Sequence, residues 1–247
     1  NVYHYTVPEN PINDWLVERH LEEYKEPPDL FTAGGMASAL ALAAALEKTG
    51  GDANSEALIP ALEGLKFEGP KGTYYIRPED HVCEQPMNIL KLVNLNPDLN
   101  GDGVPEYEFF ETVYVSKYDE LGVPCTLTGD YAARCEGIAA RQSQQAEEEP
   151  LGEVLKIGQI SMLSGVMALY GQQQTRGFEL GLEYASGGKQ DAQGRWIIAN
   201  RPVEVLTRDD EGNAEKGVAA ARELIEKEGV EILQGPVSSA VAVALTT

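Results

Sequence analysis

The chain has 247 residues, of which 43% are hydrophobic and 24% charged, a composition typical of a globular protein with one or two domains. Its net charge of -21 excludes nucleic acid and anionic membrane surfaces as favourable partners, because both would be repelled. No apolar run approaches the ~18 residues that span a bilayer, so we expect no membrane insertion. The first residues lack a basic segment followed by an apolar one, so any signal peptide is expected to be removed or absent.

The first 95 residues predict three helices and two strands. Asn10 and Pro11 suit the N-cap and first position of a helix that ends at Pro27. The helix at 32–48 is rich in Ala and Leu nearly all round, which predicts burial against a sheet. The other predicted elements are a helix at 55–62 and strands at 73–77 and 87–93.

The middle of the chain loses clear periodicity. Residues 107–115 are compatible with a strand, and the polar run at 141–150 predicts a flexible linker. A weak calcium candidate consists of three oxygen-bearing residues at alternate positions, but the twelfth position is Phe109, so a simple polar turn is the alternative. Its members are Asp98, Asn100 and Asp102.

Three cysteines are present, and two of them are close together. Cys125 and Cys135 flank a short polar loop, which favours a disulfide in a protein outside the cytoplasm and leaves Cys83 single. Three reduced thiols are the alternative, because proximity in sequence does not prove a bridge. The spacing is not that of a zinc site.

From residue 154 the pattern alternates between strands and helices. It predicts strands at 155–161, 203–208 and 230–234, each followed by a helix, and hence an α/β fold with a mostly parallel sheet between two helical layers. Asn213 suits the N-cap of a helix ending at Gly229. We expect an apolar stripe of that helix to face inward, formed by Val218, Ala221, Leu224 and Ile225.

Two loops follow the carboxyl ends of predicted strands, where open parallel sheets bind ligands. The loop at 162–170 carries Ser164 and Tyr170. The turn at 235–239 places Ser238 and Ser239 at the start of a helix, whose free N–H groups and dipole suit a carboxylate or phosphate. The alternatives are an N-capping serine and a tyrosine that simply begins a helix.

The chain lacks the sequence motifs of common enzyme classes. There is no Gly-x-Ser-x-Gly elbow, P-loop, His-Glu-x-x-His or Gly-x-Gly-x-x-Gly. The three histidines, His4, His20 and His81, are scattered, and His20 is predicted on a polar helix face. We therefore expect no enzymatic activity and no cofactor.

Several short motifs in order resemble one family. The segments at 159–165, 170–171, 176–182, 208–210 and 235–240 resemble the N-terminal part of periplasmic solute-binding proteins of amino-acid ABC transporters, the Leu/Ile/Val-binding type (periplasmic binding protein type I). The segments at 13–46, 69–72 and 77–81 resemble the C-terminal part of the same family. The resemblance implies a three-layer αβα lobe of Rossmann or flavodoxin-like build.

The resemblance also implies a function and a site. It implies extracytoplasmic capture of a small carboxylate-bearing solute, such as an amino acid, for an ABC permease. Tyr170 would cover the ligand and Ser238 or Ser239 would bind its α-carboxylate. The location would be periplasmic or extracellular, with or without a membrane tether. The alternatives are a receptor-type sensing module of the same fold and an isolated lobe that binds nothing alone.

The order of the resembling segments is reversed. Residues 1–95 correspond to the family's C-terminal part (the second half of lobe I with strands toward lobe II), 96–150 to an extension and linker, and 151–247 to the N-terminal part. Roughly 120 residues between the parts would be missing, including most of the second lobe. Circular permutation, two consecutive binding-protein units, and segments joined out of order all explain this arrangement. A lobe with an exposed cleft face is expected to form a homodimer.

Overall fold

The computed structural model describes residues 3–92, 110–120, 125, 127, 152–165 and 167–246. They belong to two compact units, each built from two chain segments. Unit 1 comprises Asn1–Leu30 and Lys66–Ala139, and unit 2 comprises Phe31–Leu65 and Ala140–Thr247. The division at residues 95 and 150 that the family resemblance implies stays a prediction.

Unit 1 combines one long helix with two small antiparallel sheets. The helix packs against the first of these sheets, which has the order β1-β2-β3, and β4 pairs with β5 in the second. A 3₁₀ turn follows at Tyr118–Glu120. The elements are α1 (Pro11–Tyr24), β1 (Lys66–Gly69), β2 (Gly72–Ile76), β3 (Cys83–Glu84), β4 (Met87–Leu92) and β5 (Phe110–Ser116).

Helix α1 begins and is anchored through asparagine side chains. As predicted, Asn10 is the N-cap, and its Oδ1 accepts hydrogen bonds from the N–H groups of Ile12 and Asn13 at 3.1 and 2.9 Å. His20 was expected on a polar face, and this is wrong. Its ring is fully buried, and Nδ1 lies 2.7 Å from the carbonyl oxygen of Glu26. This hydrogen bond replaces one to water, which allows the imidazole to be buried.

Two titratable residues of unit 1 belong to the first sheet and its turns, with Lys71 between β1 and β2 and Cys83 at the start of β3. Burial lowers the pKa of Lys71 to about 8, and its Nζ donates to Oε1 of Gln85 at 3.0 Å. Burial raises the pKa of Cys83, a free cysteine, to about 11.

Cys135 lies outside the described residues, so the bridge with Cys125 stays a prediction. The calcium candidate Asp98, Asn100 and Asp102 and the linker at 141–150 also lie outside them.

Unit 2 is a sheet between two layers of helices. The strand order is β7-β8-β6-β9, with β6 parallel to both β8 and β9 and the short β7 antiparallel to β8. The mostly parallel α/β fold is therefore confirmed. The elements are α2 (Leu30–Thr49), α3 (Ser55–Leu62), β6 (Leu155–Ser161), α4 (Ala168–Ser186), β7 (Ile197–Ile198), β8 (Arg201–Asp209), α5 (Ala214–Glu223), β9 (Ile232–Gln234) and α6 (Ser239–Leu245).

The two faces of this sheet bury separate apolar clusters because side chains alternate along each strand. On one face, Leu155 and Ile157 of β6 pack in the larger cluster with residues of α2, α3 and α4, such as Phe178. On the other, Ile160 packs with Ala221 of α5 and its neighbours. These clusters form the three-layer arrangement that the alternating sequence pattern predicts.

Helices α2 and α4 approach each other closely through glycine. A Cβ on Gly177 would lie 2.0 Å from the carbonyl oxygen of Thr32, and one on Gly35 would lie 2.2 Å from that of Gln174. Helix α2 is also long and apolar enough to cross a membrane, judged by length and composition alone, yet most of it is buried in the core. The expectation that no apolar run is long enough to span a bilayer is therefore wrong for α2. The place of α2 in the core accounts for its apolar composition.

The helix after β8 confirms its predicted ends but not its whole apolar stripe. Asn213 accepts a hydrogen bond from the N–H of Lys216 at 3.1 Å, and Gly229 ends the helical run in the left-handed conformation. A π-helical turn at Leu224–Glu228 changes the phase of the side chains. Leu224 is buried, whereas Ile225 is 52% exposed, so its predicted inward position is wrong.

Candidate functional site

The carboxyl edge of the unit 2 sheet is formed by three neighbouring parallel strands. Strands β6, β8 and β9 end at Ser161, Asp209 and Gln234. Because β6 lies between the other two, the loops that follow all begin at the same edge. The predicted site residues belong to two of these loops and to the first turns of α4 and α6.

The loop after β6 is held by the last residue of β8. Oδ1 of Asp209 accepts from the N–H groups of Leu163 and Glu211, each at 2.9 Å. Burial by itself raises the pKa of Asp209, but hydrogen bonds from the Ser164 hydroxyl and from backbone N–H groups outweigh it and hold the pKa below its ordinary value. The hydroxyl of Ser164 therefore hydrogen-bonds to the carboxylate of Asp209 and helps to fix the shape of the loop.

The start of α4 lies directly against the end of β6. The buried hydroxyl of Ser161 donates to the carbonyl oxygen of Gly171 at 3.1 Å. A Cβ on Gly171 would lie 1.9 Å from the carbonyl oxygen of Met162, so only glycine permits this approach. The loop between β6 and α4 is thus short and fixed at both ends.

Tyr170 lies in the first turn of α4 and is 37% exposed. Its ring is 4.6 Å from that of Phe31 in α2, measured between centroids, with a tilt of 36°. This contact fixes the ring while leaving one side open to solvent. Tyr170 is therefore neither a fully buried helix residue nor a freely moving surface one.

The turn after β9 and the first residue of α6 carry the two predicted serines. Gly235 has a φ of 101°, and a Cβ there would lie 2.0 Å from the carbonyl oxygen of Ile160, which requires glycine. Ser238 is at the N-cap position of α6 but its side chain makes no capping hydrogen bond. Ser238 is half-buried and Ser239 exposed. The hydroxyl of Ser238 is not used for capping, contrary to the simpler interpretation of the sequence.

A second carboxyl group lies beside the first. Asp210 is fully buried; its Oδ1 accepts from the N–H of Gly212 at 2.7 Å, and its Oδ2 has no hydrogen-bond partner. Burial and the neighbouring charge of Asp209 raise its pKa, although the bond from Gly212 opposes this. Adjacent carboxyl groups are therefore shifted in opposite directions.

Sequence reasoning missed a row of polar side chains beneath the site. Oγ1 of Thr207 donates to Oε1 of Gln159 at 3.2 Å, and Nε2 of Gln159 donates to Oε1 of Gln234 at 2.8 Å. These three residues pair in register across β8, β6 and β9. The signal in the sequence is a polar residue in place of an apolar one near the end of each strand, which appears only once the strands are aligned.

The arrangement offers neutral hydrogen-bond donors and a half-exposed aromatic ring, which suits reversible binding of a small polar molecule. Within the described parts of the chain, no group of three His, Cys, Asp or Glu side chains is placed to hold a metal ion. An open surface cavity of about 580 Å³ lies in unit 1, is lined by residues such as Tyr5 and Asn13, and includes none of the predicted site residues.

Comparison with known proteins places these features in a family. The family model described as periplasmic binding protein matches residues 2–97 and 154–247. No curated protein gives a significant match.

Solved structures give shorter matches. An ABC-type branched-chain amino acid transporter from Rhodopseudomonas palustris is 38% identical, with a TM-score of 0.42, over 47% of this chain and 29% of that one. A solute-binding protein from the same organism, in complex with benzoate, is 33% identical, with a TM-score of 0.31, over 37% and 23%. A branched-chain amino acid transporter substrate-binding protein from Streptococcus pneumoniae, in complex with isoleucine, is 22% identical, with a TM-score of 0.33, over 37% and 24%. The chain thus spans less than a third of each of these structures.

The family match extends over more than half of the chain. It includes the three parallel strands and all four predicted site residues, Ser164, Tyr170, Ser238 and Ser239. The family is non-enzymatic, which agrees with the missing catalytic motifs. The chain belongs to the periplasmic binding protein family.

Proposed function

We propose that the chain binds a small carboxylate-bearing solute, an amino acid or a related acid, at the carboxyl edge of the unit 2 sheet. It would do so as a solute-binding component of an ABC transporter. The observation that carries the proposal is the family match over both segments, which includes the loops that follow β6, β8 and β9. Neutral donors at such an edge bind an anion without the cost of burying an opposite charge.

In this proposal, the two serines bind the carboxylate of the solute. The hydroxyl of the half-buried Ser238 makes no capping bond and is available to donate, and Ser239, the exposed first residue of α6, follows it. Tyr170 covers the ligand with a ring that Phe31 already holds in place, so little side-chain entropy is lost on binding. Ser164 acts through Asp209 by fixing the loop between β6 and α4.

The proposed partner is an ABC permease that receives the loaded protein, and the proposed location is the periplasm or the extracellular space. The net charge of -21 favours a protein that stays in solution and away from anionic membrane surfaces. Relatives bound to benzoate and to isoleucine supply two carboxylates of different shape as test ligands.

Isothermal titration of the chain with benzoate and with isoleucine tests the proposal. We expect one of them to bind, and we expect Ser238→Ala to weaken that binding about tenfold because one hydrogen bond to a charged group is lost. Ser38→Ala, an exposed serine on α2, is the matched control and should leave the affinity unchanged. Equal affinities for wild type and Ser238→Ala would exclude the serine's role.

We also propose that the two family segments occur here in reversed order within one lobe. Unit 2 supports this because it joins residues 31–65 with residues 140–247 in one compact body. Peptide mapping of the natural protein by mass spectrometry tests the order. A peptide that spans the junction near residue 150 is expected, and its absence together with separate flanking peptides would contradict the proposal.

A further inference from the structure

One face of the parallel sheet in unit 2 changes from apolar to polar at the same level in three strands. A rung here means the residues that pair across neighbouring strands. Two apolar rungs lie toward the amino end of the sheet, and two polar rungs lie toward the carboxyl edge. In that direction the rungs are Leu155 with Val203, Ile157 with Val205 and Ile232, Gln159 with Thr207 and Gln234, and Ser161 with Asp209.

The first polar rung forms a directed chain of hydrogen bonds. Thr207 donates to Gln159, and Gln159 donates to Oε1 of Gln234. Gln159 has 0% of its surface exposed and uses both ends of its amide. Because Oε1 of Gln234 already accepts this bond, Nε2 is the remaining donor end of that amide, at the end of the chain of hydrogen bonds.

This rung interrupts a pattern that otherwise favours stability. Apolar side chains on the same face pack with α2 and α4, and a buried glutamine contributes less than an apolar residue of similar size unless every polar atom is paired. Natural sequences tolerate such departures mainly where function requires them. Polar residues replace apolar ones at the same level in three neighbouring strands. This indicates a function at the carboxyl edge, which lies just beyond them.

The position of Gln234 connects this chain to the site. Strand β9 ends at Gln234, whereas β6 and β8 continue for two further residues, to Ser161 and Asp209. Gln234 therefore lies immediately before the turn that carries Ser238, and its side chain is only partly buried. Its amide is therefore placed at the carboxyl edge of the sheet.

We infer that Gln234 contacts the solute directly and donates from Nε2 to an acceptor oxygen, so that it selects a carboxylate over the corresponding neutral amide. Gln159 is a positioning residue, because its bond to Oε1 sets which end of the Gln234 amide faces outward. This inference rests on the proposed function and names two residues and a ligand preference beyond it. The chemistry is a neutral N–H donor to an anionic acceptor.

Matched ligand pairs test the inference. Binding of benzoate and benzamide, and of isoleucine and isoleucinamide, is measured for wild type, Gln234→Glu, Gln159→Leu and the control Gln193→Glu, which changes an exposed turn residue by the same charge. Gln234→Glu should weaken carboxylate binding by about 100-fold or more through the lost donor and charge repulsion, and reverse the preference for carboxylate over amide. Gln159→Leu should reduce that preference about tenfold with Gln234 still present.

The outcomes separate the inference from the proposed function. If wild type binds a carboxylate and Gln234→Glu keeps both affinity and preference, the inference fails and the proposed function stands. If wild type binds no carboxylate, both fail.

Side-chain amide exchange, measured by NMR without ligand, gives an independent check. The Nε2 protons of Gln159 should exchange slowly and those of Gln234 fast. Equal protection of the two amides would overturn the inference even where Gln234→Glu fails to fold.

Discussion

The two ends of the unit 2 sheet differ in what their side chains contribute. Toward the amino end, Ile157 and its neighbours are buried in the larger apolar cluster, where each contact stabilises the fold. Toward the carboxyl edge, the same strands carry Gln159, Ser161 and Asp209, whose hydrogen bonds join them to β9, to the start of α4 and to the loop after β6, respectively. Residues that stabilise the fold and residues of the proposed binding site are thus separated along single strands, within a few residues of each other.

Truncation at the amino end should have the largest effect. Ile157→Ala is expected to reduce the free energy of unfolding by about 2–5 kcal/mol, because it leaves a cavity between the sheet and the helices. Chemical denaturation measures this loss. Ile225→Ala, at the exposed position of the π-helical turn, is the control and should change stability by about 0.5 kcal/mol or less. Similar losses for both variants would contradict the burial assigned to Ile157.

A close approach at the carboxyl edge should couple stability to binding. Gly171→Ala places a Cβ against the carbonyl oxygen of Met162, and we expect a loss of about 1–3 kcal/mol together with weaker ligand binding, because the loop after β6 must move. Gly34→Ala is the matched control, since a Cβ there meets no atom within 4 Å. It should leave binding unchanged and raise stability by about 0.5–1 kcal/mol.

The adjacent carboxyl groups should respond to pH with opposite signs. The folded pKa of Asp209 is below the ordinary 3.8. Its contribution to the free energy of unfolding is therefore present above pH 3.8 and is lost as pH falls through the folded pKa. The folded pKa of Asp210 is above 3.8. Its contribution to the free energy of unfolding is therefore present below pH 3.8 and is lost as pH rises through the folded pKa.

Two amide variants test these signs. At pH 7, Asp209→Asn should cost about 1 kcal/mol through lost hydrogen bonds, whereas Asp210→Asn should stabilise the protein. Unfolding measured between pH 3 and 8 gives the difference in the free energy of unfolding between each variant and wild type. Both differences should shrink toward the acid end. Effects of the same sign in the two variants would contradict the assigned environments.

Removing the first donor of the polar rung should have the smallest effect. Thr207→Val keeps the shape of the side chain but leaves Oε1 of Gln159 without its bond, at an expected loss of about 0.5 kcal/mol. Thr207→Ser retains the hydroxyl and is the control. Thermal unfolding distinguishes the two, and a larger loss in Thr207→Ser than in Thr207→Val would show that packing, not the hydrogen bond, matters there.

Much of the local structure was predictable because its signals are local. Asn10 and Asn213 cap helices as predicted, and the strands at 155–161 and 203–208 are found within two residues of their expected ends. The short strands β1, β3 and β7 were missed, because two to four residues are too few to show alternation. The inward position of Ile225 failed because one π-helical turn shifts the helical phase.

The candidate site was predictable in its loops but not in its supporting bonds. Ser164, Tyr170, Ser238 and Ser239 follow strands by simple position, and the family match covers them all, although their roles as ligand contacts stay predictions. The pairing of Gln159 with residues about 50 and 75 positions away depends on register, which no local pattern specifies.

By itself, the sequence determined the element types, the alternating αβ order, the acidic surface and the family, because periodicity, capping residues, charge and short motifs are all local properties of the chain. Tertiary structure alone decided that β6 lies between β8 and β9, and that Phe31 holds Tyr170. It also decided that Asp209 and Asp210 differ in environment. These outcomes depend on which distant residues come into contact, and burial and hydrogen bonding take their values only after the sheet has formed.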